Sequence, residues 1–406
     1  MKTDKALKQL LRGVEDVVTK DELAGALKRS RDEKKPLKIK YGCDPSAPDI
    51  HLGHAVVLRK LRAFQELGHT VQFLIGDFTA RIGDPSGRSA TRPPLSEEQV
   101  RANSATYQEQ VFRILHKDKT EVVYNNDWLG ALTPHDIVRL AASYTVARML
   151  ERNDFKERYK NNVPIRIHEF LYPLMQGYDS VHLKSDVEIG GSDQTFNILV
   201  GRELQKEAGI RPQIALTMPI LEGLDGKEKM SKSLGNYVAV TDEANDMFGK
   251  LMSIPDTLII RYFTLLTDVP EGELKEMESE MKSGKLNPRD CKARLGREIV
   301  EFFHGSDAAA GAEEEFRRVF AEKELPSDIP TCKIKASEIP KGGYPAFELV
   351  AMTGAVSSKG EARRMIRQKA VTLDDRGVED EMESITPENG SILRVGKLRF
   401  VEFEIS

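Results

Sequence analysis

The chain has 406 residues, 60 Lys and Arg against 64 Asp and Glu, a formal net charge of −4 and 40% hydrophobic residues. That is an ordinary globular balance with length for two or three domains, and it excludes a polycation that binds nucleic acid over its whole surface. The three cysteines, Cys43, Cys291 and Cys332, are far apart and odd in number, so they suggest neither a disulfide framework nor a zinc site.

The opening, MKTDKALKQLLRGVEDV, sets charges among apolar residues at helical spacing and lacks the apolar centre of a signal peptide. No stretch approaches the ~18 apolar residues of a membrane span, and the chain reads as cytoplasmic. PLKIKYGC (36–43) predicts a strand, and DPSAPDI (44–50) is loop chemistry. From Leu52 to Leu67 the residues Val57, Leu58, Leu61, Phe64 and Leu67 recur at helical spacing, and TVQFLIGD (70–77) predicts the next strand. This is one βαβ unit with HLGH, residues 51–54, at the start of its helix. His51 and His54 share a helix face. Free N–H groups and the positive dipole end suit a phosphate there, and Gly53 admits a ligand close to the backbone. A metal would need a third ligand that the neighbourhood lacks. On these residues alone, solvated histidines at a helix start remain the commoner explanation.

Further strands are predicted at TEVVYNND (120–127), SDVEIGG (185–191) and PQIALTMPIL (212–221), with helical segments near 97–116, 135–151 and 194–207. The alternation predicts a mostly parallel sheet covered by helices on both faces. Loops that follow its strands open on one edge, where such sheets bind ligands. DGKEKMSKSLGN (225–236) then places Lys227, Lys229 and Lys232 on a Gly-flanked loop. Three lysines alone read as a solvated charge run. HLGH followed by KMSKS, however, resembles the class I aminoacyl-tRNA synthetases, which carry both signatures in this order on a nucleotide-binding fold. The chemistry fits: a carboxylate attacks the α-phosphate of ATP, and the charge gathering on phosphate oxygens calls for positioned donors and cations rather than a protein nucleophile. The resemblance implies that His51 and His54 hold the triphosphate, while Lys229 and Lys232 close over the leaving pyrophosphate.

IGDPSGR (82–88), YPLMQGYD (172–179) and IGGSDQ (189–194) resemble the tyrosyl members of that class, over about residues 36 to 404. The resemblance implies that Asp84, Tyr172 and Gln176 surround the substrate ammonium and that Asp179 meets the phenol hydroxyl. It puts Asp44 near the α-phosphate and ammonium, Asp193 on the ribose, and Gln194 by the substrate carboxylate. Gly53, Gly190 and Gly191 permit close approach to the nucleotide, and Arg88 and Arg92 grip pyrophosphate. Pro173 is expected in a first helical turn, with Tyr172 at or just before the helix start. One position departs from the family: the tyrosine expected two residues before the strand-end glycine is Lys40, and the tyrosine present is Tyr41. Neighbouring strand residues face opposite ways, so the phenol role is carried over to neither, and which residue besides Asp179 reads the phenol stays open between Lys40 and Tyr41.

Residues 237–325 are charge-rich and helical by pattern, and 326–343 read as a Pro-rich linker. In 344–406 the stretch SSKGEARRMIRQ and the Lys369 that follows it set Lys359, Arg363, Arg364, Arg367 and Lys369 against one acid, Glu361. That is a local phosphate-binding face on an acidic chain, and the segment resembles the S4 RNA-binding domain. The expected architecture is therefore α/β. A Rossmann-like catalytic domain over 1–236 with an inserted connective segment precedes a helical domain and a small α+β S4 domain. The resemblance implies tyrosine–tRNA ligation with L-tyrosine, ATP carrying Mg2+, and tRNA(Tyr) as partners, no protein-bound metal, and a homodimer. A tryptophan–tRNA ligase and a non-catalytic RNA-binding protein on the same fold are the alternatives.

Overall fold

The computed structural model describes residues 3–45, 50–84, 96–320, 325, 329–356, 358–396 and 399–406. Two compact units form, Met1–Asp242 with Lys250–Phe303, and Glu243–Gly249 with His304–Ser406.

The first unit is built on six strands: β1 Asp16–Val18, β2 Lys38–Cys43, β3 Thr70–Ile75, β4 Thr120–Tyr124, β5 Val187–Gly191 and β6 Ile214–Met218. Their order is β1-β6-β5-β2-β3-β4. All neighbours are parallel except β1, which pairs antiparallel with β6 at one edge. β3 and β6 are nearly continuous buried runs, as expected of parallel strands covered on both faces. From β2 the chain winds outward to β3 and β4, then crosses back to place β5 on the other side of β2. The winding reverses between β2 and β5, and ligands bind beyond the carboxyl ends of strands at such a switch. β1 was not expected from the sequence; three residues with exposed and half-buried side chains leave no apolar alternation to read.

The helix Leu52–Glu66 links β2 to β3. The helix Ile167–Leu183 precedes β5 and packs along Thr195–Glu207. Here the structure corrects the expected helix start. Pro173 lies inside the helix, one and a half turns beyond Ile167, so Tyr172 is also interior. The start is set by Glu169, whose carboxylate accepts the Arg166 N–H at 2.8 Å. Pro173 removes one backbone bond, but Tyr172, Leu174, Met175 and Leu183 are buried around it, and packing rather than propensity holds most protein helices.

The helices Ile259–Leu266 and Glu271–Lys282 and most of Pro288–His304 belong to the first unit, while Ser306–Phe320 belongs to the second. The second unit carries a five-stranded sheet in the order Arg376–Gly377, Val371–Leu373, Ile392–Val395, Arg399–Ile405, Thr331–Ile334. Its last strand lies within the stretch read as a linker, which is a correction. Thr331–Ile334 pairs in parallel with Arg399–Ile405 and buries Ile334; four residues in a sequence with prolines on both sides are too few to announce a strand. The helices Ala346–Met352 and Lys359–Arg367 cover that sheet, with Ala362 and Ile366 buried against Val371, Leu393 and Phe403. No helix among the described residues is long and apolar enough to cross a membrane.

Candidate active site

A cavity of about 310 Å³ opens at the carboxyl ends of β2 and β5, the position the topology favours. HLGH forms one wall. His51 is the N-cap of its helix; its Nδ1 accepts the Gly53 N–H at 3.2 Å, and Nδ1 of His54 accepts the His51 N–H at 3.3 Å. A ring nitrogen that accepts carries no proton, so in the neutral rings the proton of each imidazole sits on Nε2. Burial, reinforced by His54, Lys232 and Lys229, pushes the His51 pKa down to about 2, so this ring stays neutral. Both rings line the cavity with centroids 4.0 Å apart. A Cβ on Gly53 would lie 2.9 Å from the His51 ring, so only glycine fits between the two histidines.

The KMSKS loop is tied to this wall by backbone. Leu52 N–H donates to Val238 O at 2.9 Å, Val240 N–H donates to Ile50 O at 3.0 Å, and His51 bridges Ala239. Buried Asn236 clasps the loop, accepting the Ser231 N–H at 2.8 Å and donating to Asp225 at 2.7 Å. Lys229 lines the cavity. Lys232 starts a single 3-10 turn and reaches the site through its charge on His51.

The facing wall is acidic. Asp44 accepts the Tyr172 hydroxyl at 2.9 Å and the Thr79 hydroxyl at 2.7 Å. Gly76 is required beside them, since a Cβ there would lie 2.1 Å from the Asp44 carboxylate. Asp84 accepts Gln194 Nε2 at 3.1 Å. Asp179 is buried, accepts Trp128 Nε1 at 2.8 Å and Asn125 Nδ2 at 3.2 Å, and is pushed up to about 7 by burial. Lys40 and Tyr41 both reach the cavity lining from opposite faces of β2. Tyr41 sits by Phe73, whereas Lys40 is fully buried against Gln176, Ser180 and Glu188.

Thus Asp44, His51, Gly53, His54, Asp84, Tyr172, Gln176, Asp179, Gly190, Gly191, Asp193, Gln194 and Lys229 meet around one cavity. Arg88 and Arg92 lie outside the described residues. Lys359, Arg363, Arg364 and Arg367 belong to the second unit, on the exposed side of its last helix; Lys369 lies just past that helix. Sequence reasoning missed Glu188, Asn125, Trp128 and Asn197. Asn125 and Glu188 had a signal, since each lies in or directly after a parallel strand that ends at the site. Trp128 and Asn197, on helices, had none. Among the described residues no group of three His, Cys, Asp or Glu is placed to hold a metal ion.

A family model for class I tRNA synthetases (W and Y) matches residues 32–321. The tyrosine–tRNA ligase of Thermotoga maritima is 52% identical over 400 residues, which cover 98% of this chain and 97% of that protein. That of Carboxydothermus hydrogenoformans is 53% identical over 397 residues, with 98% and 97% covered. Among solved structures, a C-terminally truncated mitochondrial tyrosyl-tRNA synthetase of Coccidioides posadasii aligns with a TM-score of 0.61 at 26% identity. The alignment covers 77% of this chain and 91% of that one.

Proposed function

This chain belongs to the class I tRNA synthetases of the tryptophan and tyrosine group, and from that premise we propose how its residues carry out the reaction. The activity is that of a tyrosine–tRNA ligase. The carboxylate of L-tyrosine attacks the α-phosphate of ATP and displaces pyrophosphate. A ribose hydroxyl at the 3′ end of tRNA(Tyr) then attacks the acyl carbonyl and releases AMP. One observation carries the assignment of roles: a single cavity is lined both by a buried carboxylate, Asp179, and by two imidazoles and Lys229. Tyrosine lies with its phenol O–H toward Asp179 and its ammonium among Asp84, Tyr172 and Gln176. Asp44 lies between ammonium and α-phosphate, and Gln194 by the carboxylate.

The nucleotide extends to the other wall. Asp193 takes the ribose hydroxyls, and Gly53, Gly190 and Gly191 let it approach the backbone. Magnesium arrives with ATP as part of the substrate. The two Nε2–H groups of His51 and His54 donate to phosphate oxygens as negative charge grows there, and Lys229, Lys232, Arg88 and Arg92 stabilise the departing pyrophosphate. No protein group need accept a proton in the first step, which agrees with a neutral His51.

The basic helix of the S4-like segment 344–406 and the helices of 237–325 meet tRNA through phosphates. Two copies pair through the connective segment between β4 and β5. Support for pairing comes from its outer face, where Val138, Val146, Tyr159 and Ile167 are each at least 62% exposed. The cytoplasm is the proposed compartment. Amino-acid-dependent ATP–pyrophosphate exchange with tyrosine, tryptophan and phenylalanine tests the reading. Exchange with tyrosine alone is expected; exchange with tryptophan instead, or with none, overturns it.

A further inference from the structure

We propose that Arg152, which does not line the cavity, is a positioning residue that fixes, through Asn197, which way Gln176 and Gln194 turn their amides toward tyrosine. The inference rests on the tyrosine–tRNA ligase reading above.

A carboxamide can usually invert its oxygen and nitrogen at little cost, and a substrate pocket that uses one must hold it. A guanidinium only donates. Arg152 Nη1 donates to Asn197 Oδ1 at 3.2 Å, which commits the asparagine oxygen and turns its Nδ2 the other way. That nitrogen donates to Gln176 Oε1 at 3.1 Å and to Gln194 Oε1 at 3.0 Å. With both oxygens committed, Gln176 Nε2 faces Glu188 at 3.3 Å and Gln194 Nε2 faces Asp84 at 3.1 Å. One donor-only group therefore sets the Asn197 amide and, through its Nδ2, both glutamines side by side. Gln176 keeps a second lone pair on Oε1 for the substrate ammonium, where an inverted amide would oppose it with N–H.

The acids at the far end, which only accept, favour the same orientation but are not reserved for the two glutamines. Glu188 is shared with Lys40, and Asp84 is to be shared with the ammonium. Arg152 is itself held still: it binds both oxygens of Asp154 at 2.6 and 3.1 Å, lies 4.7 Å from the Phe155 ring centroid, and is buried along with Asn197.

The test is ATP–pyrophosphate exchange by the full chain carrying Arg152→Lys, Arg152→Gln or Arg152→Met. KM for tyrosine and KM for ATP are measured separately, with thermal midpoints alongside. Lysine only donates, glutamine does either and methionine neither. Lysine is expected to keep KM for tyrosine within about threefold of the native value, while glutamine and methionine raise it about tenfold, with KM for ATP unchanged in all three. Equal values for lysine and glutamine, or a parallel rise in both KM values, overturn the proposal. If the Arg152 variants lose their thermal transition, Asn197→Asp keeps the arginine and puts an acceptor-only carboxylate oxygen where the Nδ2 donor was, so that both glutamine oxygens lose their partner. It is expected to raise KM for tyrosine alone, and an unchanged value overturns the proposal. The native protein separates the two levels of inference. Its failure to exchange with tyrosine would overturn the ligase reading, whereas normal native exchange with unresponsive variants would overturn only the role of Arg152.

Discussion

The ammonium of Lys40 lies 3.1 Å from the carboxylate of Glu188, and both side chains are closed to solvent. Two of its N–H groups donate to Gln176 O at 2.9 Å and Ser180 Oγ at 2.8 Å. An ammonium has three donors, of which two are committed to the helix Ile167–Leu183, and its charge is matched by Glu188. Lys40 is thus held at the cavity by the protein's own groups. Lys40→Met should leave Glu188 buried without its counter-charge and destabilise the fold by about 3–5 kcal/mol. Adding Glu188→Gln should recover most of that loss. Denaturant midpoints for the single and double variants check it, and an equally unstable double variant would mean that the two side chains are not coupled.

The proposed mechanism gives the two nitrogens of His51 separate duties, and two substitutions should divide them. Asparagine is among the best N-cap residues and replaces Nδ1, but it removes the donor at Nε2. His51→Asn should therefore hold its thermal midpoint while adenylate formation falls ~10²–10³-fold, the usual loss for one transition-state donor. His51→Gln reaches toward Nε2 but caps poorly, so it should lose about 1 kcal/mol of stability and less of the rate. A full rate in His51→Asn would remove the imidazole from the chemistry. Because burial holds the His51 pKa near 2, the native pH–rate profile should carry no inflexion between pH 6 and 8 that disappears in His51→Asn.

Asp179 gives the opposite pH behaviour. Its folded pKa of about 7 lies above the ordinary carboxyl value near 4. The unfolded chain therefore gives up this proton first, and the stability tied to it falls as pH rises from about 4 to about 7, then levels off. Tyrosine binding should run the other way, since a phenol O–H donates best to the ionised carboxylate. The affinity for tyrosine is expected to rise between pH 6 and 8 with a midpoint near 7, while that for phenylalanine stays flat. Equilibrium dialysis at a series of pH values checks this; identical profiles for the two amino acids would place phenol recognition elsewhere.

How much of this could be read from the chain depended on the range of each cause. HLGH, the strands β2 to β6 and the helix start at Leu52 have local causes, so their residues announce them. Pro173 misled because its local meaning, a first turn, is overridden by the burial of Tyr172 and Leu174, which only the tertiary fold supplies. Lys40 could be placed on its strand but not interpreted. Its three partners come from the helix Ile167–Leu183 and from β5, at least 136 residues away. Arg152 carried no signal, because a polar relay across three elements has no period in the sequence.

The basic helix Lys359–Arg367 was expected to meet phosphates, yet three of its four cations, Lys359, Arg363 and Arg367, are engaged within their own unit. Arg367 binds Glu381 at 2.8 and 3.1 Å, Arg363 reaches the same carboxylate at 4.0 Å and lies over the Phe347 ring, and Lys359 binds Glu348 at 2.6 Å. These pairs are largely exposed, so they are weak and screened, and an RNA phosphate can displace the carboxylate. Glu381 then acts as a competitor for the two arginines. Glu381→Gln should tighten tRNA binding and steepen its dependence on salt, since two cations are released for phosphate. Arg363→Ala with Arg367→Ala should weaken binding and flatten the log–log salt slope by roughly one per lost contact. Pyrophosphate exchange should stay at its native level in both proteins, because neither change touches the cavity. Filter binding across a salt series measures the slopes. If both variants bind tRNA with the native affinity and slope, this helix is a solvated face and tRNA is held elsewhere. If Glu381→Gln weakens binding, its carboxylate orders the arginines for RNA instead of competing with it.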